Sequence, residues 1–223
     1  MRGLRIFSTL AASTLAVLAA TAPLDAQTAP PSSPSSSERL SIRPFVAVAR
    51  QRFAADTTFD AIFGHATGTL GGGGVMVTRG SLFVEAEISR FRRNGQRAFA
   101  SDEDGSGVGI PLTVTIAPVE FAAGYRFRPR RFGVAPYIGA GLGLYRYREE
   151  SPSADVGEEV NVRHAGWLVV AGVERQLHRL FAVSADLRYT HVPGILGQGG
   201  LSQAVGETNL GGIAIRLRFL LGP

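Results

Sequence analysis

One property limits this chain more than any other: its hydropathy repeats with a period of two, segment after segment, and no long apolar run follows residue 39. A helix that crosses a bilayer needs ~18 or more consecutive apolar residues, so no helical span is available after that point. Strict alternation is the signature of a β-strand with one apolar and one polar face. At 82–91, Leu82, Val84, Ala86 and Ile88 oppose Phe83, Glu85, Glu87 and Ser89. At 115–127, Val119, Phe121, Ala123 and Tyr125 oppose Pro118, Glu120, Gly124 and Arg126. At 137–148, Ile138, Ala140, Leu142 and Leu144 oppose Tyr137, Gly139, Gly141, Gly143 and Tyr145. Trp167, Val169, Ala171 and Val173 oppose Gly166, Val170, Gly172 and Glu174. Phe181, Val183, Ala185, Leu187 and Tyr189 oppose Ala182, Ser184, Asp186 and Arg188. Ile213, Ile215, Leu217 and Phe219 oppose Gly212, Ala214, Arg216 and Arg218. Weaker alternation at 41–53 and at 69–78, which holds the glycine run 71–74, supplies two more strands and brings the total to eight.

Composition narrows the classes. The 28 Gly and the absence of Lys, with little helical periodicity, argue against a helical bundle. The absence of Cys excludes a disulfide framework, Cys-ligated metal sites and an acylated N-terminal Cys. Arg2 and Arg5 precede an uncharged apolar stretch at 6–20, and Ala26 follows Leu24 and Asp25. This predicts a Sec-type signal peptide at 1–26, cleaved after Ala26. Its removal takes away Arg2, Arg5 and Asp25, a net +1, and leaves +4 of the chain's +5. Export together with so modest a charge argues against a nucleic-acid partner. Residues 27–39 are rich in Pro and Ser and are expected to form a disordered leader, which places the folded domain at 40–223.

The connections between the eight strands alternate in length. Long ones fall near 54–67, 94–110, 149–162 and 192–207; short ones fall at 79–80, 129–135 and 176–179. A membrane barrel has this segregation because tight turns face the periplasm and long loops face outside. Seven aromatic residues, Tyr125, Phe127, Tyr145, Tyr147, Phe181, Tyr189 and Phe219, are assigned to strand ends, where membrane barrels carry girdles. The expected fold is therefore all-β: an eight-stranded antiparallel up-and-down transmembrane β-barrel in the outer membrane, closed so that no strand edge meets lipid.

With the charged face inward, the interior receives the carboxylates Glu85, Glu87, Glu120, Glu174 and Asp186 and the guanidinium groups of Arg126, Arg188, Arg216 and Arg218. A barrel of eight strands is just wide enough to be filled by side chains, so these charges are expected to pair as structural ion pairs. Gly139, Gly141 and Gly143 are expected to leave room for the long arginines. Arg90, Arg92, Arg93 and Arg97, at the loop end of the third strand, are candidate contacts for lipopolysaccharide phosphates. The acidic groups at 102–104 and 149–159 read as solvated loop charge. His65, His164 and His178 show no metal-ligand spacing, and neither glycine cluster has a phosphate-loop or dinucleotide pattern, so no metal or cofactor is expected.

The segment Gly124-Tyr125-Arg126-Phe127 followed by 136–143, Pro-Tyr-Ile-Gly-Ala-Gly-Leu-Gly, resembles the central hairpin of the small outer-membrane β-barrel superfamily, which includes OmpA-like, OmpX-like and OmpW-like proteins. The terminal Arg216-Leu217-Arg218-Phe219 resembles the last strand that the barrel-assembly machinery reads. The resemblance implies a monomer in contact with outer-membrane lipid and lipopolysaccharide, with a structural or surface-interaction role and no catalysis. Three other functions fit the pattern less well. One is a narrow channel for small solutes. A second is a lipid A-modifying enzyme: Arg188-Tyr189-Thr190-His191 resembles the lipid A 3-O-deacylase family, which carries a Ser two residues after the His, where this chain has Pro193. The third is a soluble lipocalin-like barrel with the faces inverted.

Overall fold

The structure, a computed structural model, describes residues 40–98, 109–129, 131–151, 160–197, 202 and 205–222. The expected signal peptide and leader lie outside the described residues. So do most of the acidic loop residues at 102–104 and 155–159. Eight strands form one closed barrel: β1 (Leu40–Phe53), β2 (Thr67–Arg79), β3 (Leu82–Ala98), β4 (Gly109–Arg126), β5 (Val134–Glu150), β6 (Val160–His178), β7 (Phe181–His191) and β8 (Gly212–Leu221). Every neighbouring pair is antiparallel. The ring closes where β1 pairs with β8, from Phe45 opposite Leu220 to Phe53 opposite Gly212. Closure satisfies the ladder on all sides, which a strand wall in hydrocarbon requires.

The two faces of the wall differ in kind. Leu142 is 70% exposed, Ile88 65% and Val46 63%, whereas Glu85 is 2% and Arg216 1% exposed. Hydropathy alternation is symmetric and cannot say which face points outward; the closed ring decides it. A soluble calyx would expose the charged face, so the lipocalin-like alternative is overturned by large apolar side chains exposed on seven of the eight strands, with glycines and half-buried Val75 and Val77 on the outer face of β2. Outside the barrel, Tyr125 and Phe127 pack edge-to-face at 5.0 Å, and Phe181 stacks on Phe219 at 5.6 Å, all at the short-turn end. Trp167 and Tyr189 pack at 5.5 Å toward the other end. Tyr145 and Tyr147 do not join them: both are buried inside the barrel. Tyr145 shares the parity of the inward glycines of β5, and Tyr147 follows it by two, so alternation turns both rings inward.

At the long-loop end the β1–β2 connection holds a helix where a loop was expected, α1 (Asp56–Phe63). Phe59, Ile62 and Phe63 recur at helical spacing, and Thr58, Phe59 and Ile62 are buried. Gly64, at φ 74°, ends the helix by donating its N–H to the Asp60 carbonyl at 2.7 Å, a position where a Cβ is penalised.

Candidate functional site

The interior is stratified. In its middle, three guanidinium groups from β7 and β8 reach carboxylates on β3, β4 and β7. Arg188 donates to Glu87 at 2.9 Å, to Glu85 at 3.4 Å and, more closely, to Glu120. Arg216 donates through Nε to both oxygens of Asp186, at 3.0 and 3.2 Å, through Nη2 to Glu85 at 3.1 Å, and through Nη1 to Glu87. Arg218 donates to Glu85, to the Ser184 hydroxyl at 2.8 Å and to the Tyr137 hydroxyl at 2.7 Å. Its guanidinium lies 5.2 Å from the ring centroids of both Phe45 and Tyr137. The Tyr137 hydroxyl in turn donates to Asp186 at 2.6 Å, and Tyr145 donates to Glu120 at 2.6 Å. Alternation sets this layer: Glu85 and Glu87, Asp186 and Arg188, and Arg216 and Arg218 are each two residues apart on one face of one strand.

A second cluster lies nearer the short-turn end. Arg43 grips Glu174 with two hydrogen bonds, 2.7 and 3.0 Å, and Arg126 adds a third at 2.8 Å. Arg43 was not among the expected interior residues, yet it is 2% exposed. It shares the parity of Phe45 and Phe53, both buried, and that was the available signal. Five buried or half-buried arginines therefore face five carboxylates. Removing such charges from water costs several kcal/mol per ion, an expense recovered only where the hydrogen bonds are well made.

The inward glycines make room for aromatic rings rather than for arginines. A Cβ at Gly139 would lie 2.9 Å from Phe83, one at Gly143 2.8 Å from Tyr145, and one at Gly172 2.8 Å from Tyr137. Gly141 meets only the neighbouring strand, 2.0 Å from the Phe121 carbonyl.

Toward the long loops the interior turns apolar. Phe53, Phe59, Phe91, Ile116, Tyr147, Val192 and Leu210 belong to one buried cluster. Phe53 stacks on Phe59 at 4.1 Å, which ties α1 to the wall. The helix has no side-chain cap of its own at Ala55. Glu207, from the β7–β8 connection, supplies one: its carboxylate accepts the N–H groups of Thr57 and Thr58 at 3.0 and 2.8 Å. Desolvation pushes the Glu207 carboxyl up, but the hydrogen bonds from Thr58 and Thr57 outweigh it and hold it below the usual carboxylate range. Between the ionic layer and the apolar plug a cavity of about 30 Å³ remains, bordered by Glu87, Glu120, Arg188 and Thr190 on one side and by Phe53, Val192 and Leu210 on the other. Such a space holds a few waters at most.

The four arginines expected to meet lipopolysaccharide divide. Arg90 and Arg92 are exposed on the outer face. Arg93 is turned inward by alternation: it contacts His65 Nε2 at 2.5 Å and lies 5.5 Å from the Phe63 ring, so it fastens α1 rather than facing lipid. Arg97 pairs in register with Ile110, and its side chain lies outside the described residues. His191 packs against Trp167 at 5.5 Å, and the Ser202 hydroxyl accepts the Gly197 N–H at 3.0 Å in the loop. Among the described residues, no three metal-ligating side chains cluster.

Comparison with known proteins agrees with this architecture. The profile of the family described as outer membrane protein beta-barrel domain matches residues 9–211. The crystal structure of Neisserial surface protein A superposes with a TM-score of 0.51 at 15% identity, covering 82% of this chain and 97% of that one. The outer membrane protein OprG of Pseudomonas aeruginosa gives a TM-score of 0.46 at 10% identity, covering 83% and 94%. No curated protein matches the chain. The closed ring, its apolar exterior and the family match have one consequence: the chain belongs to the outer membrane protein β-barrel domain family and has the fold of the small eight-stranded outer-membrane barrels.

Proposed function

We propose that this protein is a closed, non-conducting outer-membrane barrel with a structural or surface-interaction role, inserted by the barrel-assembly machinery and acting as a monomer among lipid and lipopolysaccharide. The observation that carries this reading is the filled interior. An ionic layer crosses the middle and an apolar plug sits above it, and the space between them measures about 30 Å³. A narrow solute channel would need a continuous wet path through both. An enzyme built on His191 would need a nucleophile beside it. Position 193, where the deacylase family carries its Ser, is Pro.

Liposome swelling with the folded protein tests the reading. Vesicles loaded with this barrel are expected to exclude small sugars and amino acids as protein-free vesicles do. Swelling that scales with the amount of folded barrel would refute closure. Lipid A recovered from cells expressing the protein is expected to keep its mass, and loss of an acyl chain would revive the enzymatic alternative.

A further inference from the structure

On three alternate strands the outward apolar run stops at the same pattern, Arg-x-Arg. Val48 is followed outward by Arg50 and Arg52, Ile88 by Arg90 and Arg92, and Leu144 by Arg146 and Arg148. The residues between the last two pairs, Phe91 and Tyr147, are 3% and 2% exposed, so alternation forces the arginines onto the outer wall. On β6, Arg163 stands directly opposite Arg146. Like charges in direct cross-strand register repel. Arg146 does not swing away, because its Nε is held by Asn161 at 3.0 Å.

Some of these arginines are already occupied. Arg50 binds the hydroxyls of Thr69 and Thr67 at 3.1 and 2.7 Å, Arg52 lies 3.6 Å from Asp56, and Arg148 lies 2.9 Å from Glu150. Among the described residues, no carboxylate pairs with Arg90, Arg92, Arg146 or Arg163. Between β3 and β5 the outer face of β4 carries only small side chains here: Thr115 pairs with both Arg92 and Arg148, and Ala117 pairs with Arg146. Adjacent strands are about 4.8 Å apart, so the arginines of β3 and β5 flank a shallow trough roughly 10 Å across.

We propose that this trough binds the phosphate groups of an outer-leaflet glycolipid headgroup, held by Arg146 on the β5 wall with Arg163 beside it on β6, and by Arg90 and Arg92 on the β3 wall. Guanidinium presents a planar fork that matches phosphate oxygens two at a time, and a bridging dianion turns the repulsion between Arg146 and Arg163 into shared attraction. Leu144 and Ile88, 62% and 65% exposed just below, offer the acyl chains an apolar wall. The proposal rests on the reading that the long-loop end faces outward in the outer membrane. It deepens that reading by assigning the phosphate contacts to one place on the wall and by adding Arg146 and Arg163 to Arg90 and Arg92.

The test uses the full folded chain in detergent, with bisphosphorylated lipid A and its dephosphorylated form as probes and native mass spectrometry as the readout. The wild type is expected to retain the phosphorylated lipid and not the dephosphorylated one. The double variant Arg146→Gln, Arg163→Gln is expected to bind at least about tenfold more weakly, since two charge-assisted contacts are lost. Arg175→Gln with Arg179→Gln, exposed at the opposite end, is expected to bind like the wild type. Melting supplies a second sign. Without lipid the Arg146/Arg163 variant should melt no lower than the wild type, because a repulsion is gone; with bisphosphorylated lipid A only the wild type should gain. Equal retention by wild type and variant, equal retention of both lipids, or the full melting gain from millimolar inorganic phosphate alone would overturn the proposal. None of these outcomes affects vesicle exclusion of solutes, so failure here is separable from failure of the closed-barrel reading.

Discussion

The middle of the barrel and its long-loop mouth are packed by opposite means. The middle is held by charge: Arg216, 1% exposed, reaches Asp186, Glu87 and Glu85 on two other strands. Every group in that layer stands on a strand, and its position follows from alternation and register alone. The mouth is held by apolar packing, and its central pieces, α1 and the β7–β8 connection, are not part of the wall. The difference separates two kinds of stability. The ionic layer is inseparable from the barrel, whereas the plug can in principle undock with the barrel intact.

The largest effect is expected in the ionic layer. Arg216→Met leaves Asp186 and Glu87 short of a partner and should cost ~3–5 kcal/mol of barrel stability, read from urea unfolding in detergent. A loss under ~1 kcal/mol would mean that water or a neighbouring arginine replaces it. Next is the plug. Phe59→Ala removes a ring 1% exposed and stacked on Phe53, a truncation of ~3–5 kcal/mol that should fall on α1 docking. Hydrogen exchange should accelerate in α1 and the β7–β8 connection while β7 and β8 stay protected; loss of protection across the wall would erase the distinction between the two regions.

A smaller effect belongs to the helix cap. Glu207→Ala should loosen α1 by about 1 kcal/mol. Because the folded carboxyl is held below its ordinary value by Thr58 and Thr57, its contribution is complete above the unfolded carboxyl's pKa of about 4.3 and is lost as pH falls through the lower folded value. Exchange in α1 should therefore rise below about pH 4 in the wild type and show no such step in the alanine variant. The smallest expected change is Arg126→Gln. Arg126 is a quarter exposed and Glu174 keeps both bonds from Arg43, so less than about 1 kcal/mol should be lost.

The same contrast explains what could be read in advance. The charged layer was visible because Glu85, Asp186, Arg188 and Arg216 sit in strands whose alternation is clean. Arg43 was missed because β1 is interrupted by Pro44 and ends in Arg50 and Arg52, which blur its faces. The plug was missed for a physical reason: it is built from tertiary contacts between connections, and a connection has no period to read. Phe59, Ile62 and Phe63 carry a short helical pattern before Gly64, and Val192, Ile195 and Leu196 form an apolar group within a Gly-rich stretch, but neither segment has the alternation of a strand. Arg93 and Tyr147 neighbour outward-facing arginines along the chain, yet parity turns both inward.

Planar-bilayer recording tests the central claim, two seals in series, most directly. Wild-type barrel and the Phe59→Ala variant would be compared under the same voltage. The account predicts no current steps from either, because the ionic layer still closes the lumen when the plug is loosened. Stable unitary steps from folded wild type, or full opening on loss of the Phe59 ring alone, would contradict it.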